Sequence, residues 1–290
     1  MNEGTDSPLV DPDSFPSWII FEDEHILVLD KPGWLVCHPS KNGPWSSLVG
    51  AAKEYLGVES IHLASRLDRE TSGVVLLAKH RGAASRWQKG IEVKTVRRSY
   101  LTILEGEMDG SREISTFLGK DPMSEVFVKQ RVTASSRKSQ RAESLFIPLE
   151  VRNGYTFALV LTKTGRKHQI RVHAQSMGYP LVGEKLYGRN ETYYLKFCQG
   201  GWKNEWIEDL GMSRQALHGR TLGFIDKSEV FHTDLADDMR SFLFDTMGQH
   251  KEVVDTIQSR ADELVLRKWS EELGCMEGHE EVFRKGSNNK

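Results

Sequence analysis

An aspartate flanked by arginines is the first place in this sequence where residue types and spacing suggest chemistry. Residues 65–79 read S-R-L-D-R-E-T-S-G-V-V-L-L-A-K, with Asp68 between Arg66 and Arg69, and Thr71-Ser72-Gly73 leading into an apolar run. A carboxylate held beside guanidinium groups stays ionised, which suits a nucleophile better than a proton donor. The same arrangement would also serve an aspartate that only caps a turn. A second stretch, residues 161–173, reads L-T-K-T-G-R-K-H-Q-I-R-V-H and gathers Lys163, Arg166, Lys167, His168 and Arg171 around a turn. Such donors grip phosphates and sugars, or simply solvate a turn and helix start. A third, Arg97-Arg98-Ser99-Tyr100, sets an aromatic hydroxyl beside two cations. Tyr100 could equally be a strand aromatic packed in the core.

Other chemistries lack their signatures. There is no G-x-x-x-x-G-K-[ST] loop, no G-x-G-x-x-G, no G-x-S-x-G and no H-E-x-x-H among the ten histidines. Chemistry without cofactor or metal is therefore expected of any enzyme here. The net charge of −2 hides an uneven distribution. Residues 62–100 hold 9 basic against 3 acidic side chains and residues 129–173 hold 10 against 2, whereas residues 1–24 hold 7 acids and no Lys or Arg. A basic middle between acidic ends is what a polyanion-binding face looks like, because lysine and arginine displace counterions from phosphates.

The elements that must position these groups follow from spacing. Trp18–Leu29 reads as two short strands around a Glu-Asp-Glu turn, and Ser46–Tyr55 as a helix stopped by Gly57. Gly73–Ala78 is continuously apolar, as a buried strand should be, and Arg98–Glu105, Ala142–Val151 and Tyr155–Thr162 also read as strands. Ala83–Ile91 and Gln169–Met177 have helical spacing. With no regular βαβ rhythm, the expected class is α+β, a mixed, largely antiparallel central sheet with flanking helices. Residues 1–17, acidic with Pro8, Pro12 and Pro16, read as a flexible lead-in, and residues 18–235 as the main folded body. Residues 236–290 read as a helical acidic extension, with Val253, Ile257, Ala261 and Leu264 on an apolar stripe that should dock away from Asp68. At 290 residues, 38% hydrophobic and 28% charged, the chain reads as globular and neither collagen-like nor wholly disordered. It has no run of about 18 apolar residues, so no membrane partner is expected. Three scattered cysteines and no secretory signal pattern point to a reducing, cytoplasmic setting.

Taken together, W-I-I-F-E-D-E-H-I-L-V-L-D-K-P-G-W-L-V-C-H-P at 18–39, R-L-D-R-E-T-S-G-V-V-L-L-A-K, R-S-Y-L, T-G-R-K-H-Q-I-R-V-H, G-Y-P-L-V-G-E-K-L-Y-G and R-Q-A-L-H at 214–218 resemble the RluA family of pseudouridine synthases. The resemblance spans roughly residues 18–225. It implies isomerisation of uridine to its C5-glycoside in ribosomal or transfer RNA, with base flipping and no cofactor or metal. By the same resemblance Asp68 is the catalytic aspartate, Tyr100 the active-site tyrosine and Arg171 the arginine paired with the aspartate. Arg66 would fill the gap left by a flipped base, and Arg69, Thr71, Arg166, Lys167, His168 and Gln169 join it as RNA contacts. Where the family usually reads H-R-L-D, this chain has Ser65. An S4 RNA-binding domain is not expected in the 17 residues before the catalytic body, and a monomer is. The rival readings are an RNA-binding protein of the same fold without catalysis, and a hydrolase that would need Glu70 as a second carboxylate.

Overall fold

The computed structural model describes residues 9–38 and 42–287, with side chains described as far as Cys275. Its strands are β1 (Ile19–Glu22), β2 (Ile26–Lys31), β3 (His62–Leu63), β4 (Ser72–Ala78), β5 (Val96–Glu105), β6 (Arg112–Lys120), β7 (Gln130–Thr133), β8 (Gln140–Arg152), β9 (Tyr155–Thr162), β10 (Leu217–Phe224) and β11 (Val230–His232). They form one sheet in the order β1-β2-β4-β10-β5-β9-β8-β6-β7, with β3 on β4 and β11 on β10. Every pairing is antiparallel except β4 with β10. The helices are α1 (Leu48–Leu56), α2 (Arg81–Glu92), α3 (Gln169–Ser176), α4 (Thr192–Gly200), α5 (Ile207–Leu210), α6 (Asp237–Asp245) and α7 (Lys251–Ser287). The chain is thus α+β with a mixed, largely antiparallel sheet. Among the described residues no helix is long and apolar enough to cross a membrane.

Strand periodicity divides the core between the two sheet faces. On β5 and β9, Tyr100, Leu104, Ala158 and Val160 join the core under α1 and α3. Their neighbours Leu101, Ile103, Phe157 and Leu159 pack with α6 and α7 on the other face. At the far end of that second face, Val74 and Leu76 of β4 meet Trp87 of α2. Helix α1 begins where the Ser47 side chain accepts the Gly50 amide, and ends at Gly57, whose φ of 64° closes the last turn.

A row of residues crosses the sheet behind the Asp68 loop: Gly73 on β4, Gly219 on β10, Tyr100 on β5 and Val160 on β9. Gly73 has φ 111°, and a Cβ there would lie 2.2 Å from the Gly219 carbonyl oxygen. Only glycine lets the parallel strands approach this closely.

Two expectations change. Residues 1–8 of the acidic lead-in lie outside the described residues, but within residues 9–17 Val10 and Phe15 are buried, though the rest stay largely exposed. Phe15 is fully buried against Trp18, Trp45 and Tyr55, and the Val10 amide donates to the Trp45 carbonyl at 2.7 Å. The composition is acidic, yet one large aromatic suffices to fix the segment. In α7 the buried stripe is Val254, Ile257, Ala261, Val265 and Trp269; Val253 is exposed and Leu264 only partly buried. The rows at 3.6 residues per turn thus lie one position on from the expected ones at both places.

Candidate active site

Asp68 sits in the loop between β3 and β4, and this loop is held at each carbonyl from Leu67 to Glu70. The Cys37 thiol donates to the Leu67 oxygen at 3.5 Å, and the Thr71 amide to the Asp68 oxygen at 3.1 Å. The Lys31 ammonium donates to the Arg69 oxygen at 3.2 Å, as well as to Pro32 and Leu35 oxygens, and Arg214 Nη1 donates to the Glu70 oxygen at 2.9 Å. Lys31 is fully buried, and burial lowers its pKa to about 8. Arg214 is itself clamped by Asp238 of α6 through Nε and Nη2. A loop with its backbone acceptors so occupied presents its side chain in one place.

The Asp68 carboxylate opens into a cavity of about 310 Å³ whose walls include Arg66, Leu67, Arg98, Tyr100, His168, Arg171 and Leu217. Arg171, the third residue of α3, donates through Nη1 to Asp68 Oδ2 at 3.1 Å. Its other edge grips Glu184, with Nε to Oε2 at 2.7 Å and Nη2 to Oε1 at 2.6 Å. Glu184 Oε1 also accepts the Leu186 and Tyr187 amides. Burial would raise the Glu184 carboxyl, but Arg171 and those amides hold it below the usual range. Burial would likewise raise Asp68, and its neighbours His168, Arg171, which also hydrogen-bonds it, and Arg66 hold it low. Tyr100 is buried on β5, and burial raises its phenol against the opposing Arg98 guanidinium. At neutral pH the phenol therefore keeps its proton.

The structure brings Asp68, Tyr100 and Arg171 to one cavity, with Arg66 exposed at its edge. Arg166 and Lys167 are exposed at the rim, Arg166 anchored by its Nε to the Arg141 carbonyl at 3.0 Å. Besides His168, three expected RNA contacts are placed differently. Gln169 is buried with its whole amide engaged: Oε1 accepts from Thr164 and the Arg166 amide, and Nε2 donates to Glu143 O and Ser144 Oγ. It shapes the turn. Thr71 is buried and accepts from Gln215 Nε2 at 2.8 Å. Arg69 lies over the rings of Trp34 and Phe197, at 5.8 and 5.4 Å. It borders a neighbouring cavity of about 580 Å³ that shares Arg66, Asp68 and Lys167.

Glu70, the second carboxylate a hydrolase would need, borders that neighbouring cavity. Its Oε2 accepts from the Lys185 ammonium at 2.9 Å and the Gln215 amide at 3.1 Å. Ser65, in place of the family's usual histidine, accepts the Leu76 amide with its hydroxyl at 3.2 Å. Sequence reasoning assigned no role to Glu184, Lys31, Cys37 or Arg214. Each lies in a stretch that carries the resemblance, and that was the only signal available.

Residues 25–176 match the family described as RNA pseudouridylate synthase. The chain is 32% identical to a Bacillus subtilis protein named uncharacterized RNA pseudouridine synthase YjbO, over 79% of this chain and 76% of that one. It is 31% identical to the ribosomal large subunit pseudouridine synthase D of Xanthomonas campestris pv. campestris, over 74% of this chain and 63% of the relative. A Mycoplasma pneumoniae protein named uncharacterized RNA pseudouridine synthase MG209 homolog is 35% identical over 66% of this chain and 61% of its own length. The chain thus spans about three fifths to three quarters of these relatives. Among solved structures, human RNA pseudouridylate synthase domain containing 4 superposes with a TM-score of 0.62 at 22% identity, over 80% of this chain and 94% of that one. Human RNA pseudouridylate synthase domain containing 1 gives 0.58 at 21%, over 89% and 98%. These two share the fold. The matched residues and the sequence relatives together place the chain in the RNA pseudouridylate synthase family, in its RluA-type branch.

Proposed function

We propose that this protein isomerises uridine to pseudouridine in structured RNA, ribosomal RNA in the first instance, and that it does so without a cofactor. The observation that carries the reading is the Asp68 carboxylate, ion-paired to Arg171 at 3.1 Å in a cavity shared with Tyr100. The ribosomal assignment rests on the relatives named as large-subunit synthases. A uridine stacked in RNA is out of reach of such a cavity, so it must be extruded, at a cost of about a few kcal/mol. Arg66 would occupy the gap it leaves, and Arg166 and Lys167 would hold the backbone.

In the reaction the C1′–N1 bond breaks, the uracil turns and a C1′–C5 bond forms; C5 loses its proton and N1, freed from the sugar, ends protonated, so the product is an isomer. Asp68 is the nucleophile, toward the sugar or the base, and Arg171 keeps it ionised and aimed. The protonated Tyr100 offers the base a face and relays the C5 proton; its raised pKa disqualifies it as a standing phenolate base. The three free cysteines suit a reducing compartment such as the cytoplasm.

The test is to map pseudouridines in total RNA with and without the protein, and then with Asp68→Asn. A modified site should depend on the protein, and Asp68→Asn should lower its formation by on the order of 10⁴-fold while RNA binding persists. Normal turnover by a folded Asn variant would remove Asp68 from the chemistry. RNA binding with no modified uridine would make the protein a binding module of this fold.

A further inference from the structure

We propose that His168 is a positioning residue for Asp68, its proton fixed on Nε2 by a chain running from the Gln130 amide through the Tyr187 hydroxyl, so that Nε2–H faces the carboxylate. The inference deepens the reading of Asp68 as nucleophile and rests on it. His168 has a left-handed backbone, φ 54°, which turns its ring inward while Arg166 and Lys167 remain exposed. Its side chain is only 10% exposed. It is therefore placed as a partner of the site's interior and not as the RNA contact expected from the sequence.

The tautomer follows from counting donors. The Gln130 amide donates to the Tyr187 hydroxyl oxygen at 2.9 Å, and His168 Nδ1 lies 2.7 Å from that same oxygen. A phenol that accepts an N–H still has its own proton to give, and Nδ1 is the acceptor beside it. Nδ1 then carries the lone pair and Nε2 the hydrogen. Nε2 stands 3.9 Å from Asp68 Oδ2. A shift of about 1 Å as substrate packs against the carboxylate closes this to a hydrogen bond. Burial holds His168 near pKa 4, with Arg171 and Lys167 also opposing its charge, Asp68 and Glu184 favouring it. A neutral donor suits the task. Arg171 already supplies a full positive charge to Asp68, and a second cation would bind the nucleophile's electrons more tightly. Tyr187 and Gln130 lie on different segments, so the chain also ties strand β7 to the nucleophile.

The experiment compares single-turnover pseudouridine formation at saturating RNA, and RNA Kd, for His168→Leu, His168→Gln, Tyr187→Phe and Asp68→Asn. It adds nitrogen NMR of labelled histidine in the parent and Tyr187→Phe proteins. His168→Leu should lose about ten- to hundredfold in rate, the worth of a hydrogen bond to an ionised group, with Kd unchanged. His168→Gln, which keeps an N–H donor, should recover most of it. Tyr187→Phe should lose roughly three- to tenfold and turn a single Nε2–H tautomer into a mixture. A weakened Kd with full rate at saturation would make His168 an RNA contact and overturn the inference, as would an Nδ1–H tautomer in the parent. If His168→Leu fails to fold, the parent spectrum and Tyr187→Phe decide. An active Asp68→Asn enzyme would topple the underlying reading; a dead Asp68→Asn beside an unimpaired His168→Leu would topple this inference alone.

Discussion

Arg171 and Trp269 are nearly equally hidden from water, 6% and 2% exposed, but for opposite energetic reasons. Arg171 is surrounded by Glu184, Asp68 and the Tyr187 ring, and desolvating those charges costs several kcal/mol per ion before their attraction offsets it. Trp269 ends the apolar stripe of α7, where each Å² removed from water contributes about 25 cal/mol. The cleft is organised at a cost in stability, and the extension on the opposite sheet face stabilises. The two regions meet at β5, which turns Tyr100 to the cleft and Leu101 and Ile103 to the α6–α7 core. They meet again at Asp238, whose grip on Arg214 reaches the Glu70 carbonyl in the Asp68 loop. The extension's acidic end also comes close to the cleft: Glu272 pairs with Arg97 at 2.9 Å and Lys163 at 3.6 Å, beside Arg98.

The sharpest way to break the comparison is Glu184→Ala. It leaves the Arg171 guanidinium buried with Asp68 as its remaining carboxylate. The uncompensated charge should destabilise the fold by about 3–5 kcal/mol. The freed guanidinium should also follow Asp68 less faithfully, so the single-turnover rate should fall in the fraction that stays folded. Thermal melts and rates measured together check both. A variant that melts with the parent would mean that the cleft is not the costly region.

In the extension the effect should be on stability alone. Ile257→Ala removes a buried branched side chain far along the sequence from every cleft residue, and should cost about 2–4 kcal/mol with the single-turnover rate of the folded enzyme unchanged. Truncation after residue 235 is the poorer test, because it also deletes Asp238 and so loosens Arg214. A slowed but equally stable Ile257→Ala enzyme would make the extension part of the cleft's machinery.

The two regions also differ in how much of them was legible in the sequence. The stripe of α6 and α7 is written in helical spacing, and β4 in six consecutive apolar or small residues, because apolar burial leaves a periodic trace. Strand β10 left none. Its L-H-G-R-T-L-G-F is central in the sheet, yet His218 bonds Ser72 and Thr233 and Arg220 bonds Asp262, so its polar residues are satisfied inside the fold. The cleft is similar. Asp68 and Arg171 are 103 positions apart, and nothing in their local spacing brings them together; the resemblance did. Gln169 shows the reverse error. The resemblance listed it among the RNA contacts, while its four hydrogen bonds point into the protein.

The smallest effect should be at the rim, where neither region's energetics applies. Arg166 and Lys167 are exposed and make no ion pair among the described residues, so their replacement should hardly change the melting temperature. Their charges should act mainly on phosphate. Each phosphate contact adds roughly 0.7–0.9 to the slope of log binding constant against log salt, the lower figure for single strands. A double Arg166→Ala, Lys167→Ala variant should therefore bind RNA more weakly with a slope shallower by about 1.5, and should turn over at the parent rate once saturated. Binding isotherms at several salt concentrations measure the slope directly. A slope kept in full would show that the turn is merely solvated. The phosphate grip would then pass to the other cations along the cleft, Arg66, Arg98 and Lys163.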